Sequence, residues 1–185
     1  KGIKGLLYKF FRNKEIELYQ NSDFIGCMSP ANVEYVLKHN PNINAQKVEI
    51  APNSCNCIAT SNKVDKNSIR KKFHLPQDKT ILIYGGNLGK PQGIPFLLEC
   101  LKANCHHEKC HFVIIGNGTE YNKLSTWITS VNPPSVSLFN TLPKDEYNEL
   151  ANACDVGLVF LDYRFTIPNY PSRLLSYLTN QKPII

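Results

Sequence analysis

The chain has 185 residues, of which 42% are hydrophobic and 19% charged, and its formal net charge is +6. This composition supports the buried core of one ordinary domain, or of one domain and a piece of another, and excludes a disordered chain. No run of about 18 consecutive apolar residues occurs, which excludes a membrane-spanning helix, and the basic balance favours anionic partners without choosing among nucleic acid, membrane surface and nucleotide phosphate.

The sequence opens at Lys1 without a methionine and without a signal-peptide pattern, so a piece excised from a longer protein is expected. Its first stretch, KGIKGLLYKFFRNKEIELYQ, spaces Ile3, Leu6, Leu7, Phe10 and Phe11 as the apolar stripe of an amphipathic helix. Lys1, Lys4, Lys9, Arg12 and Lys14 flank it. Such a basic helix can lie on an anionic membrane, but the solvated face of a core-packed helix is the commoner reading. DFIGCMS then reads as a short buried strand, PANVEYVLKHN as a helix with Pro30 near its start, KVEIAPN as a strand ending in a turn, and SIRKKFHL as a short basic helix closed by Pro76.

From Thr80 the pattern becomes regular. The predicted strands TILIYGG, CHFVIIGNG, SVSLFN, DVGLVFL and KPII alternate with the predicted helices GIPFLLECLKANC, EYNKLSTWITSV, KDEYNELANAC and SRLLSYLTN. Continuous apolar strands alternating with helices of about ten residues predict right-handed crossovers and a parallel sheet covered on both faces, a doubly wound α/β fold. A last strand at KPII with no helix after it leaves part of that sheet to be covered by further chain or by a partner.

Ligands of open parallel sheets bind beyond the carboxyl ends of the strands. Three loops fall there. YGGNLGKPQG, Tyr84 to Gly93, has glycines that admit close backbone approach and a lysine, Lys90, that can meet a phosphate; it lacks the endings of a P-loop and of the dinucleotide fingerprint. IIGNGTE carries Gly116 and Gly118, for which a structural turn is the simpler reading. NYPSRLL is the sharpest: Ser172 is expected to cap a helix that Pro171 leads into, and Arg173 stands in its first turn, where the helix dipole disfavours a cation by about 0.3–1 kcal/mol. A cation there makes sense against an anion such as a diphosphate.

Seven cysteines, Cys27, Cys55, Cys57, Cys100, Cys105, Cys110 and Cys154, read as reduced thiols of a cytoplasmic protein. CHHEKCH, Cys105 to His111, is rich in zinc-ligand types, but no second pair stands at a recognised spacing, so incidental cysteines in a polar connection are expected and no metal site is assigned.

On YGGNLGKPQGI, FVIIGNGTE, LPKDEYNELANACDVGLVFL and IPNYPSRLLSYLTNQKPII, in that order, the chain resembles the nucleotide-sugar-binding half of GT-B glycosyltransferases of the family-4 type, which includes bacterial lipopolysaccharide and capsule sugar transferases. The resemblance runs from about Val48 to the end and implies half of a GT-B architecture. Residues 1–52 would be the last elements of an acceptor domain and a linker, and 53–185 a donor domain incomplete at its C-terminus. It implies transfer of a hexose or amino-hexose from a nucleotide diphosphate, commonly UDP, to a hydroxyl of a saccharide or lipid-linked acceptor, without a cofactor or a bound metal, at the cytoplasmic face of a membrane or free in the cytoplasm.

By residue, the resemblance places Gly86, Asn87 and Lys90 on the first phosphate loop, Ser172 and Arg173 at the second, and the nucleotide base near the main chain of Leu142. The family's paired glutamates fall on Pro168 and Ser176, a departure that leaves the stereochemistry and the catalytic residues unassigned. A sugar-nucleotide epimerase, which would need acid and base carboxylates, and a nucleotide-binding module without turnover are the alternative functions; no motif supports nucleic-acid binding.

Overall fold

The computed structural model describes residues 2–55 and 65–185. The chain falls into two compact units, one reaching to Ser54 and including Ile167–Tyr170, the other starting at Cys55 and comprising the rest.

The first unit contains helix α1 (Ile3–Asn21), strand β1 (Ile25–Cys27), helix α2 (Pro30–His39) and strand β2 (Val48–Ile50). The two strands pair in parallel, Ile25 opposite Val48 and Cys27 opposite Ile50. Helix α2 starts where the sequence predicts it: Ser29 is extended, its hydroxyl accepts from the Asn32 amide, and Pro30 fills the first turn, where a missing N–H costs nothing. Arg12 ties α1 to the end of α2 by donating to the His39 carbonyl (2.8 Å) and the Asn40 side chain (2.6 Å).

The apolar stripe of α1 forms as predicted, but it is not packed on a core. Ile3, Leu6, Leu7, Phe10 and Phe11 are 54–88% exposed, and no residue of α1 is buried. Two three-residue strands and one ten-residue helix offer too little apolar surface to cover a helix of 19 residues.

The second unit is the doubly wound fold. Strands β3 (Thr80–Gly85), β4 (Cys110–Ile115), β5 (Val136–Phe139) and β6 (Val156–Gly157) form one sheet in the order β5-β4-β3-β6, every pair parallel. β3 and β4 run in register from Thr80 opposite Cys110 to Gly85 opposite Ile115. Side chains alternate across the sheet with period two. Ile81, Ile83, Val113 and Ile115 pack on one face with Leu150 and Ala151 of helix α6 (Lys144–Ala153) and Tyr177 of helix α7 (Arg173–Thr179). Tyr84 and Ile114 pack on the other with Ile94, Leu97 and Leu101 of helix α4 (Ile94–Asn104) and Leu124 of helix α5 (Tyr121–Val131). Both faces are apolar, which is why these strands read as unbroken hydrophobic runs.

DVGLVFL is ladder-paired over only two residues, although Leu158 still donates to the Ile83 carbonyl. KPII lies parallel beside it through a bridge from Gly157 to Ile184, with the Val159 amide reaching the Ile185 carbonyl.

The carboxyl end of α6 is fixed by cations. Arg70, at the end of helix α3 (Lys66–Lys72), donates to the Ala153 carbonyl (3.0 Å), and Lys182 to those of Cys154 (2.5 Å) and Asn152 (3.2 Å). Asp155 follows and accepts from Arg70 (2.7 Å), the Ile81 amide (2.9 Å) and Lys66 (3.1 Å). These bonds satisfy carbonyls that a helix end leaves without partners, and they place positive charge at its negative pole.

Candidate functional site: the rim at the ends of β3 and β4

Strand β3 ends at Gly85, and the chain turns outward through Gly86, Asn87, Leu88 and Gly89 into a single turn, Lys90–Gln92, before α4. A second loop, after β4, supports the first. The Gly86 amide donates to the Ile115 carbonyl, the Leu88 amide to that of Asn117, and the Glu120 amide to that of Leu88, each at 2.9 Å.

Close contact between these loops demands the glycines of IIGNG. A Cβ at Gly116 would lie 1.8 Å from the Gly86 carbonyl oxygen, and one at Gly118 2.6 Å from that of Leu88; both residues have positive φ, 144° and 158°. The structural reading of Gly116 and Gly118 therefore holds, because they let the second loop carry the first. Gly85 has a comparable constraint, since the Tyr147 ring of α6 occupies the space where its side chain would be.

Arg173 is the centre of the rim. Its guanidinium carbon lies 4.3 Å from the centroid of the Tyr84 ring, and its Nη2 donates to Gln92 Oε1 at 2.8 Å. The same Nη2 is 3.1 Å from the point where a Cβ of Gly86 would stand, so the guanidinium lies against that glycine. Nη1 is buried and has no hydrogen-bond partner among the described residues. Tyr84 closes the arrangement: its hydroxyl donates to the Asn87 carbonyl at 3.1 Å, and burial, partly offset by Arg173, raises its pKa so that the phenol stays protonated. Tyr147 is raised in the same way, chiefly by burial.

The structure thus brings Gly86 and Arg173 together and joins Asn87 to them through Tyr84. Lys90 is exposed on the same turn as Gln92. Ser172 adjoins Arg173 but does not cap: its φ and ψ of −57° and −27° are already helical, and a helical residue cannot turn its hydroxyl back to the amides it would need to reach. Its side chain is exposed instead. Leu142 packs, with Tyr147, against the core on the α6 face of the sheet, and its amide makes no hydrogen bond among the described residues.

Tyr84, Gln92 and Tyr147 were not singled out by sequence reasoning. Tyr84 sits in an apolar strand and reads as core, which it also is. Gln92 carries no charge to mark it.

Among the described residues no group of three or more His, Cys, Asp or Glu is arranged to hold a metal ion. In CHHEKCH, Cys105 is buried and His111 is engaged with Ser137 Oγ at 2.8 Å; Cys57 of CNC lies outside the described residues. Nor is any helix among them long and apolar enough to cross a membrane.

Residues 65–185 match the family model of glycosyl transferases group 1. Comparison with curated proteins finds no match. Among solved structures, the fold is similar to that of Anabaena HepE in complex with UDP and glucose (TM-score 0.73, 14% identity, 93% of this chain and 46% of that one). It is also similar to a glycosyltransferase from Rickettsia africae (TM-score 0.70, 14% identity, 93% and 47%) and to WaaG, a glycosyltransferase of lipopolysaccharide biosynthesis (TM-score 0.63, 16% identity, 86% and 42%). The chain spans less than half the length of each. The α/β sheet with helices on both faces is that of the Rossmann-like domains of GT-B proteins.

Proposed function

We propose, for a chain that belongs to the group 1 glycosyl transferases, that the second unit binds a nucleotide-diphosphate sugar, a UDP-sugar first among them, and that the protein transfers its hexose or amino-hexose to a hydroxyl of a saccharide or lipid-linked acceptor. The observation that carries this reading is Arg173, a guanidinium stacked on Tyr84 against the exposed backbone of Gly86, with a buried Nη1 that lacks an acceptor. A buried donor without a partner is costly, and a pyrophosphate oxygen would satisfy it with a charge-assisted bond.

The reading places the diphosphate between Gly86, Asn87 and Lys90 on one side and Ser172 and Arg173 on the other. The base meets the main chain at Leu142. As the bond to the sugar breaks, charge develops on the departing nucleotide, and Arg173 and Lys90 stabilise it without a metal, the role that preorganised donors serve in transfer reactions. Residues 1–52 are read as the last elements of an acceptor domain of the family-4 type and a linker, and the general base is assigned to the acceptor half. Synthesis of lipopolysaccharide or capsule, in the cytoplasm or against the inner face of the membrane, is the setting to which the likeness to WaaG directs the first trials.

Calorimetric titration tests the assignment. UDP and UDP-glucose bind the chain, and Arg173→Ala removes about 1.5–3 kcal/mol, a loss of about 10- to 150-fold in affinity. Unchanged affinity in Arg173→Ala refutes it.

A further inference from the structure

A second concavity of the same unit has a different chemistry. It is a pocket of about 490 Å³ between the start of α4 and the loop that follows β6, lined by Phe96, Glu99, Asp162, Tyr163 and Arg164. That volume lies within the roughly 300–1,000 Å³ of small-molecule sites. Two aromatic rings are presented to solvent there, Phe96 at 60% and Tyr163 at 92% exposure.

The loop is held in shape. Asp162 accepts from Arg164 twice through the side chain, at 2.8 and 2.6 Å, and once through its amide at 2.9 Å. The Asp162 amide donates to the Pro91 carbonyl at 2.9 Å. Gly93, with φ +60°, gives the loop room to approach, since a Cβ there would stand 3.3 Å from the Leu161 carbonyl. Phe160 wedges behind, its ring 5.8 Å from that of Phe96 and 6.0 Å from that of Tyr84.

We propose that this pocket binds a neutral pyranose ring of the acceptor saccharide. A pyranose offers an apolar C–H face, which packs on an aromatic ring, and an edge of hydroxyls that both donate and accept. The pocket supplies both complements: Phe96 and Tyr163 for the face, and for the edge Glu99 as acceptor with the Arg164 guanidinium, 68% exposed and held by Asp162, as donor. Glu99 opposes an anionic ligand, and the Asp162–Arg164 ion pair opposes a purely apolar one. The donor's own sugar is disfavoured because the turn Lys90–Gln92 is bonded to this loop through Pro91 and to Arg173 through Gln92, which puts it between the pocket and the phosphate rim. That the saccharide is an acceptor rests on the function proposed above; that the pocket takes a pyranose rests on its own residues.

Amide NMR spectra of the chain, titrated separately with methyl β-D-glucopyranoside, methyl N-acetyl-β-D-glucosaminide, UDP and UDP-glucose, test it. Either glycoside is expected to shift the amides of Phe96, Glu99 and residues 162–165. Tyr163→Ala should weaken it by about three- to tenfold while leaving UDP affinity unchanged. Glycoside binding without UDP binding would uphold the pocket and refute the donor site. UDP binding with no glycoside shifts at the pocket, glycoside affinity indifferent to Tyr163→Ala, or pocket shifts caused by UDP-glucose but by neither glycoside would each overturn the proposal. Tyr163 is almost wholly exposed, so its replacement does not endanger folding.

Discussion

Arg173 illustrates what a single residue discloses from sequence and what it withholds. A cation in the first turn of a helix opposes the dipole, and that anomaly makes it a candidate for an anion before any fold is known. Its partners are invisible at that stage: Tyr84 supplies the stacking face from a strand and Gln92 the acceptor from a turn, neighbours made only by the crossover between them. The cap expected at Ser172 fails for a reason just as local, since Pro171 and Ser172 already begin the helical turn, with their carbonyls accepting from Leu174 and Leu175. Glycines are more legible, because they mark backbone crowding. Gly116→Ala is expected to destabilise the chain by about 2 kcal/mol or more in urea unfolding, because the new methyl overlaps the Gly86 carbonyl and the φ is hostile to any side chain. It should weaken UDP as well, through displacement of the loop. A wild-type urea midpoint would show that the loops have slack.

At the level of elements, every predicted helix of the second unit forms and so do four of its five predicted strands, each driven by a repeated apolar pattern that both faces of the sheet reward, whereas KPII, at the sheet's margin, makes only a single bridge. Less legible is how the elements are tied at their ends. Nothing in the spacing of Arg70, Asp155 and Lys182 announces that they converge at the carboxyl end of α6. Asp155→Ala removes the only carboxylate partner of the nearly buried Arg70 among the described residues and the acceptor of the Ile81 amide, and should cost about 1–3 kcal/mol in urea unfolding. Burial alone would raise the Asp155 pKa, but the Ile81 amide, Lys66 and Arg70 outweigh it and hold the carboxylate below its ordinary value of 3.8. Its contribution is therefore complete above pH 3.8 and fades as the pH falls through the folded-state value. The wild-type and Asp155→Ala stabilities, measured by urea midpoint against pH, should converge in acid; a constant gap would contradict this account.

At the scale of the whole molecule, the first and second units differ in how far sequence determines their burial. The second closes a core around its own sheet, whereas the first exposes the long apolar side of α1 beside Lys4, Lys9 and Lys14. Periodicity gives the direction of a stripe and is silent about what lies opposite. Replacing Leu7 and Phe11 by lysine is expected to leave thermal stability within about 0.5 kcal/mol; marked destabilisation in a thermal melt would mean that these side chains are buried after all. The interlocked turns after β3 and β4 reach beyond energetics. Because Gly116 and Gly118 fit only while residues 86–88 keep their course, the two turns form a single heritable unit, and descendants of this chain can remodel one only by accepting compensating change in the other.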